Sequence, residues 1–236
     1  MALAATESSI LREGPPGLWR LTGWGPSWVT AGIVGPPAEL SQLLPHLPGA
    51  RGVVQAEQVH GSSLAVVQHA RELTQPVAGC DALLTNVSGL GLVIRTADCL
   101  PIFFLDPARR AVGLAHAGWR GLAAGLPLRM VAAFRHQYHS RLQDLRVAIG
   151  PAVRSCCYEV GPEFERFFGP FVQASSGRRT CDLPAAAIAQ LLGAGVRRDR
   201  ILDSAICTAC DLRTWFSLRR EGPATGRLTS LILLRP

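Results

Sequence analysis

Apolar residues occur along the chain mainly in short unbroken runs, which are typical of strands buried on both faces. Runs of this kind are 91–94, 101–105 and 111–115, and further apolar-rich runs at 146–149, 201–206, 215–218 and 228–233 are also predicted to be strands. A candidate strand pair lies within 53–67. The last two runs are predicted to pair as a hairpin, because the intervening segment 222–226 contains glycine and proline.

Helical periodicity marks three segments between these strands. The first is 122–138, where Pro127 indicates either a first helical turn or a kink. The second is a short helix over 162–168, which begins with proline and acidic residues. The third is 183–192, which has a proline at its start and a glycine directly after its end.

Many strands and few helices predict a mixed-sheet protein of the α+β class, with a layered α/β arrangement as the alternative. We expect a single layered domain over 1–236, with mixed β-sheets flanked by helices. Residues 1–50 are rich in Gly, Pro and Trp and are predicted to form short strands or irregular cover. The candidate chemistry lies in 51–236.

Composition indicates a globular protein, since 48% of the residues are hydrophobic and 17% are charged. All 24 cationic residues are Arg, and with 17 acidic residues they give a net charge of +7. The arginines are scattered in pairs and are not clustered with aromatic residues. We therefore expect no nucleic-acid partner.

The most apolar stretch, 89–105, is interrupted by Arg95, Asp98 and Pro101, so no membrane-spanning segment is predicted. The N-terminal residues lack the basic and apolar regions of a secretory signal. The chain has seven cysteines, and this odd number argues against a disulfide framework. A cytoplasmic location is therefore expected.

Three residues share a position where an apolar strand gives way to a turn: His60, Cys99 and His116. Two imidazoles and a thiolate form a zinc set that leaves a fourth position for water or substrate. The alternative is an inert buried cysteine and two hydrogen-bonded histidines. The spacing alone favours this alternative, because gaps this long carry almost no metal signal.

Other candidate residues are ambiguous on their own. The pair Cys207 and Cys210 has metal-ligand spacing but lacks a second pair, since adjacent Cys156 and Cys157 have the wrong spacing, so structural cysteines are favoured. The turn from Gly118 to Gly121 carries Arg120 between a strand and a helix, which suits phosphate. Glycine is also needed there for steric reasons. The remaining cationic candidates, which solvation alone could explain, are Arg219, Arg220 and Arg227.

A series of motifs carries a resemblance to a known family. In chain order they are QVHG (58–61), CDAL (80–83), TADCLPI (96–102), HAGWRG (116–121), IGP (149–151), YEVG (158–161), CT (207–208), FS (216–217), RR (219–220) and TGR (225–227). This series closely resembles the YfiH family, whose members are also labelled laccase-domain polyphenol oxidase, purine nucleoside phosphorylase or peptidoglycan editing factor. The resemblance extends from about residue 50 to the C-terminus.

The resemblance implies a zinc site formed by His60, Cys99 and His116 and a fold similar to cysteine-hydrolase-like toxin domains. It also implies phosphorolysis of adenosine, inosine, guanosine and methylthioadenosine, with adenosine deamination as a second reaction. The expected partners are thus purine nucleosides and phosphate, and the chain is expected to act as a monomer or a small homo-oligomer. Leu218 departs from the family, which often has Tyr there, and this puts base preference in doubt.

Roles follow for individual residues under this hypothesis. Arg120, the amides from Gly118 to Gly121, and Arg219 or Arg220 would hold the phosphate. Asp98 would shuttle protons during deamination, although capping a turn explains it equally well.

Other functions stay open at this point. A multicopper laccase is disfavoured because the chain has only six His, and its trinuclear cluster demands more imidazoles. A lone copper site with an axial Met would have to use Met130, the only internal methionine. A different class is a peptidoglycan-precursor editing hydrolase with Cys99 as nucleophile. A third possibility is a binding module without catalysis.

Overall fold

The computed structural model of the protein describes residues 10–14, 17–36, 47, 49–69 and 75–236. The strands are β1 (Leu11–Glu13), β2 (Leu18–Leu21), β3 (Val29–Val34), β4 (Gly52–Gln55), β5 (Leu64–Val66), β6 (Ala82–Thr85), β7 (Leu90–Thr96), β8 (Leu100–Asp106), β9 (Ala111–Ala117), β10 (Arg146–Ile149), β11 (Val172–Ser175), β12 (Arg178–Cys181), β13 (Ile201–Asp203) and β14 (Leu228–Leu234). The α-helices are α1 (Trp119–Ala123), α2 (Leu126–Tyr138), α3 (Glu165–Phe168), α4 (Leu183–Gly193) and α5 (Leu218–Glu221).

Most of these strands form two six-stranded sheets. Sheet I has the order β1-β2-β3-β14-β7-β4, and sheet II has the order β13-β10-β8-β9-β6-β5. Both sheets are mixed: β4 runs parallel to β7, β13 to β10 and β5 to β6, whereas the other neighbours are antiparallel. Strands β11 and β12 form a separate hairpin. The expected α+β class with mixed sheets is confirmed.

The inner face of sheet II packs on sheet I, and its outer face is covered by helices α2 and α4. Phe103 and Leu114 lie in the core between the sheets, whereas Phe104 lies in the second core with Phe134 and Leu191 of the helices. Neighbouring residues of β8 and β9 therefore point into different cores. Every residue of both strands is buried, which explains why the sequence shows unbroken apolar runs there without polar alternation.

The predicted helix over 122–138 is two helices. Gly125 has a φ of 75°, in the left-handed region, and ends the continuity between α1 and α2. Pro127 then occupies the first turn of α2, where its missing N–H leaves no hydrogen bond unmade. The helix predicted over 183–192 is α4. The one predicted over 162–168 is a 3-10 turn followed by α3.

The hairpin predicted at the C-terminus is wrong. Trp215 is buried in the core between the sheets, but 215–217 is a bend and irregular backbone, and residue 218 begins α5. The Ser217 hydroxyl accepts a hydrogen bond from the N–H of Arg220 and so caps the start of α5. Strand β14 pairs instead with β3 and β7 in the middle of sheet I.

The two strands predicted within 53–67 are present but do not pair with each other. Strand β4 lies at the edge of sheet I beside β7, and β5 lies at the edge of sheet II beside β6. The loop between them therefore crosses from one sheet to the other. This crossing loop carries His60.

The short strands expected within residues 1–50 are confirmed for the described part, where β1, β2 and β3 form one side of sheet I. Residues 1–9, 15, 16, 37–46 and 48 lie outside the described part, and so does most of the segment in which no secretory signal is expected. Among the residues that the structure describes, no helix is both long and apolar enough to span a bilayer.

Candidate metal centre and adjoining cavity

The crossing loop between β4 and β5 presents His60 with its backbone in the left-handed region, at a φ of 59°. The side-chain amide of Gln58 holds this loop on β7, since it donates to the Arg95 carbonyl (2.6 Å) and accepts from the Arg95 N–H (2.7 Å). The N–H of His60 donates to Asp81 Oδ1 (2.9 Å). These contacts fix the position from which the His60 imidazole projects.

Cys99 lies in the tight connection between β7 and β8. The preceding residue, Asp98, has a φ of 83°, and its buried carboxylate accepts two hydrogen bonds. One comes from the Thr208 hydroxyl (2.6 Å) and the other from the backbone N–H of Arg219 (2.6 Å). Asp98 therefore ties the turn that carries Cys99 to two segments near the C-terminus.

His116 lies on β9, opposite Pro101 of β8, and only 3% of its surface is exposed. Its Nδ1 lies 2.9 Å from Oδ1 of Asp81, which is fully buried. Since an ionised carboxylate can only accept, the imidazole donates from Nδ1 and its Nε2 is left for another partner. The rings of His116 and His60 are 4.8 Å apart, nearly perpendicular to each other.

Asp81 is the functional residue that the sequence reasoning missed. Besides the His116 imidazole, it accepts the N–H groups of His60 and Gly61, at 2.9 and 2.7 Å. One carboxylate thus positions two of the three predicted metal ligands. The available signal was an acidic residue directly before the apolar run of β6, inside the CDAL motif.

The three predicted metal ligands come together. Donor atoms of His60, Cys99 and His116 all lie within 4.8 Å of one another. Two imidazoles and a thiol are a donor set that suits zinc, and Asp81 supplies the outer carboxylate that orients a ligating histidine. Gly118 leaves room beside them, since a Cβ there would lie 3.2 Å from Cys99 Sγ and 3.3 Å from the His60 ring. The residues present therefore fit a bound metal ion.

The electrostatics of this group are strongly coupled. Burial alone would raise the pKa of the Cys99 thiol, but hydrogen bonds with His116 and His60 lower it from 9.0 to about 7. Burial likewise opposes charge on His116, yet Asp81 and Cys99 raise its pKa to about 9. The pKa of Asp81 is lowered, because its hydrogen bonds to His116 and the loop outweigh its burial. In the absence of a metal ion, these shifts favour the thiolate of Cys99, the imidazolium of His116 and the carboxylate of Asp81.

A cavity of about 480 Å³ opens beside this group. That volume lies in the range of sites for small organic ligands. Its lining residues are His60, Ala97, Asp98, Cys99, Gly118, Trp119, Arg120, Val153, Tyr158, Leu183, Leu218 and Arg219. Aromatic and aliphatic walls therefore face two cations and the two more exposed members of the His-Cys-His group.

The two cations that line the cavity are held over aromatic rings. The guanidinium of Arg120 lies 4.6 Å from the Trp119 ring centre, and that of Arg219 lies 5.2 Å from the Tyr158 ring centre. Cation–π contacts of this kind restrict the flexible arginine side chains while leaving their N–H groups able to bind an anion.

Two other residues predicted to bind phosphate are not brought to the cavity wall. The guanidinium of Arg220 donates to the carbonyls of Thr208 (2.7 Å) and Trp215 (2.6 Å), so it holds the loop before α5. Gly121 packs against the crossing loop, since a Cβ there would lie 2.7 Å from the Gly61 carbonyl oxygen. The steric explanation therefore accounts for Gly121.

Fold and site together define the class of the protein. It has an α+β fold of two mixed sheets, with a candidate metal centre of two histidines and one cysteine beside a ligand-sized cavity. The family model described as multi-copper polyphenol oxidoreductase laccase matches residues 38–235. The chain belongs to this family, the YfiH family.

Individual relatives agree with this assignment. The chain is 38% identical over 194 residues to the purine nucleoside phosphorylase YlmD of Geobacillus stearothermophilus, covering 76% of this chain and 71% of the relative. It is 31% identical over 190 residues to the adenosine deaminase RL5 of an unknown prokaryotic organism, covering 74% of this chain and 72% of the relative. The crystal structure of the Geobacillus YlmD superposes with a TM-score of 0.88 at 32% identity, over 97% of this chain and 100% of the other. The crystal structure of the Bacillus licheniformis hypothetical protein YfiH superposes with a TM-score of 0.87 at 28% identity, over 95% of this chain and 99% of the other.

Proposed function

We propose that the protein is a zinc-dependent purine nucleoside phosphorylase that also deaminates adenosine. Its substrates would be adenosine, inosine, guanosine or methylthioadenosine with phosphate, and its products the base and the ribose 1-phosphate. The observation that carries the proposal is the cavity in which His60 and Cys99 of the His-Cys-His group, two arginines and an aromatic wall converge. The names of the relatives support the same substrate class.

The cavity walls suit the parts of a nucleoside and a phosphate. Trp119, Tyr158 and Leu218 offer apolar surface to a purine, whereas Arg120 and Arg219 supply the cationic N–H donors that bind phosphate oxygens. In phosphorolysis the phosphate attacks C1′ while the glycosidic bond breaks through an oxocarbenium-like state. The two arginines would hold the phosphate for this attack, together with backbone N–H groups of the turn at Gly118.

The metal ligands in this proposal are His60, Cys99 and His116. Zinc held by them would supply a Lewis acid and an activated water for adenosine deamination. Asp81 keeps the His116 imidazole protonated at Nδ1, so that Nε2 faces the metal position.

Asp98 is the residue proposed for proton transfer in deamination, and it lines the cavity. Both of its carboxylate oxygens already accept hydrogen bonds, from Thr208 and from the Arg219 backbone. A role in positioning the Cys99 turn and Arg219 explains these contacts more directly. Asp98→Asn separates the two roles: proton transfer predicts a loss of deamination alone, whereas positioning predicts a parallel loss of phosphorolysis.

The proposal is tested by incubating purified protein with inosine and following hypoxanthine release with and without phosphate. We expect release to require phosphate, and Arg120→Ala to raise the KM for phosphate more than that for inosine. Arg135→Ala is the matched control, because Arg135 is exposed on α2 and is not among the cavity-lining residues. Equal cleavage in phosphate-free buffer would show a hydrolase and contradict the phosphate role.

A second function is supported by a specific observation. Cys99, His116 and Asp81 form a nucleophile, base and carboxylate chain, and contact with the histidines lowers the pKa of Cys99 to about 7. Such a chain suits hydrolysis of an amide, as in a peptidoglycan-precursor editing hydrolase. A metal-free protein that cleaves nucleotide-linked muropeptides and is inactivated by alkylation of Cys99 would favour this function over the first.

We also propose that nucleic acid is not a partner, despite the net charge of +7. Several exposed or half-exposed arginines are already paired with acids: Arg178 with Glu159, Arg179 with Glu165 and Arg197 with Asp199. Titration with a duplex and a single-stranded oligonucleotide should show at most weak binding that disappears near physiological salt. Sub-micromolar binding at that salt concentration would overturn this.

A further inference from the structure

A second group of metal-ligating side chains lies outside the cavity. It consists of Cys156, Cys157, Cys207 and Cys210, whose sulfur atoms all lie within 4.8 Å of one another. The sulfur of Cys210 is 3.5 Å from that of Cys156 and 3.3 Å from that of Cys157. These four cysteines, which we call the four-cysteine cluster, do not belong to the residues that line the cavity.

The cluster is assembled by two loops that leave the same end of sheet II. Strands β10 and β13 are parallel neighbours, so the segments that follow them emerge side by side. The backbone pairing continues into the loops, where Ala152 forms a parallel bridge with Cys207. The Ala152 N–H donates to the Ile206 carbonyl (3.3 Å), and the Thr208 N–H donates to the Ala152 carbonyl (3.1 Å). The register of the sheet therefore brings both cysteine pairs to one place.

Arginine side chains hold both loops in shape around the cluster. Arg154 forms a two-pronged ion pair with Asp203 and donates to the Ile206 carbonyl (3.2 Å). It also turns its own loop, because its carbonyl accepts the N–H groups of Cys157 and Tyr158, both at 2.8 Å. Arg220 donates to the carbonyl of Thr208, within the other cysteine pair. Polar contacts outside the cluster thus set the cysteine positions before any ligand binds.

The sulfur separations match a shared ligand. A tetrahedral zinc site with Zn–S bonds of about 2.3 Å places its sulfur atoms about 3.8 Å apart, whereas a disulfide requires about 2.05 Å. The two separations from Cys210, 3.5 and 3.3 Å, are slightly shorter than the tetrahedral value and far longer than a disulfide bond, and all four sulfur atoms lie within 4.8 Å of one another. Adjacent Cys156 and Cys157 both reach the same point because they lie in a tight turn and not in a strand.

We propose that the four-cysteine cluster is a structural zinc site that clips the loop after β10 to the loop after β13. Four thiolates complete the tetrahedral shell and leave no position for substrate, as is typical of structural sites. Binding releases the thiol protons to solvent and involves no oxidation. The clip would stabilise the cavity wall, because Tyr158 directly follows Cys157, and Thr208 next to Cys207 holds Asp98.

The test uses metal content and does not depend on any enzymatic activity. We expect two zinc ions per chain in the reduced wild type and one in Cys99→Ala. Adding Cys210→Ser to Cys99→Ala should remove the second zinc. The matched control adds Cys181→Ala instead, since Cys181 belongs to neither metal-ligating group, and it should retain that zinc.

A second readout covers the case in which the double variant does not fold. Cys99→Ala loaded with Co²⁺ should show the intense sulfur-to-cobalt charge-transfer bands and the visible bands of a tetrahedral thiolate site. Absence of these bands, or retention of the second zinc in Cys99→Ala with Cys210→Ser, overturns the proposal. The proposal would also be overturned if the protein purified from cells contained no metal at the cluster and had a disulfide between Cys210 and either Cys156 or Cys157. That result would indicate a redox pair.

Discussion

The His-Cys-His group and the four-cysteine cluster both depend on sheet II, but they differ in donor number, burial and surroundings. The first draws residues from the β4–β5 loop, the β7–β8 turn and β9, buries His116 and Asp81, and borders a cavity. The second uses two loops only, and Cys156 and Cys210 are exposed. Three ligands beside a cavity suit catalysis, and four thiols without a carboxylate partner suit structure. Donor number and surroundings therefore separate the two proposed roles, whereas the presence of cysteine does not.

The largest effect is expected when the buried carboxylate of the first group, Asp81, is removed. Asp81→Ala leaves the imidazolium of His116, whose pKa Asp81 raises, without its acidic partner. It also removes two hydrogen bonds from the crossing loop. We expect a loss of about 3–5 kcal/mol in the free energy of unfolding, measured with denaturant. Glu163→Ala, an exposed acid, should change it by less than about 0.5 kcal/mol. Similar values for both variants would contradict the role given to Asp81.

A milder change at Asp81 should affect the zinc affinities of the two groups differently. Asp81→Asn keeps the shape but removes the charge that orients His116, so zinc affinity of the His-Cys-His group should fall roughly 10- to 100-fold. Affinity of the four-cysteine cluster should not change. Zinc affinity is measured by competition with a chelator in Asp81→Asn and in the double variant Asp81→Asn with Cys210→Ser. The difference between the two variants separates the affinity of the four-cysteine cluster from that of the His-Cys-His group. A loss shared equally by both sites would mean that Asp81 acts through general stability.

Thiol reactivity in the metal-free protein provides a third comparison. Hydrogen bonds with the histidines lower the pKa of Cys99 to about 7, despite its burial. The pKa of Cys210 is raised to about 11, chiefly by its neighbour Cys157, and that of Cys156 is raised to about 11, chiefly by burial. A thiol is reactive above its pKa, so Cys99 alkylation should rise through about pH 7.

At pH 8, Cys99 should therefore react roughly tenfold faster than Cys210, since its larger thiolate fraction outweighs its weaker intrinsic nucleophilicity. Alkylation with iodoacetamide followed by peptide mass spectrometry measures both rates in one sample. Faster modification of Cys210 would show that the histidines do not activate Cys99.

The smallest expected effect concerns the cavity wall alone. Leu218 is 44% exposed and lines the cavity. Leu218→Tyr introduces the residue that the family resemblance leads us to expect there and adds an aromatic face for the base, which is worth about 0.5–1.5 kcal/mol. We expect the KM for inosine to fall roughly 2- to 10-fold with unchanged zinc content. A change in zinc content would mean that position 218 influences the metal ligands.

Much of the fold could be predicted from local pattern. The runs at 101–105 and 111–115 were identified as buried strands, because both faces of sheet II are covered and no polar alternation is needed. The prediction of a C-terminal hairpin is wrong because Trp215 is as apolar as a strand residue, although it fills the core from an irregular segment. Apolarity reports burial, and only hydrogen-bond partners determine whether a buried segment is a strand.

The residues of the candidate site could likewise be predicted only in part from local sequence. Local sequence marked His60, Cys99 and His116 as strand-end residues, and family motifs grouped them, but spacing alone favoured inert side chains. Asp81 was missed because its significance lies in His116, 35 residues away. Spacing favours structural cysteines over a shared metal site, because zinc spacing rules describe local loops, whereas the parallel pairing of β10 with β13 joins the two pairs.

Local sequence is enough to predict most of the buried segments, the mixture of strands and helices and the family, and the family motifs indicate the three donors of the first group. Only the folded chain shows that Asp81 joins His60 and His116, that Arg219 faces the cavity while Arg220 holds a loop, and that four distant cysteines lie together. The physical reason is that burial and propensity depend on neighbouring residues, whereas donor sets and ion pairs depend on strand order and register, which join residues far apart in the chain.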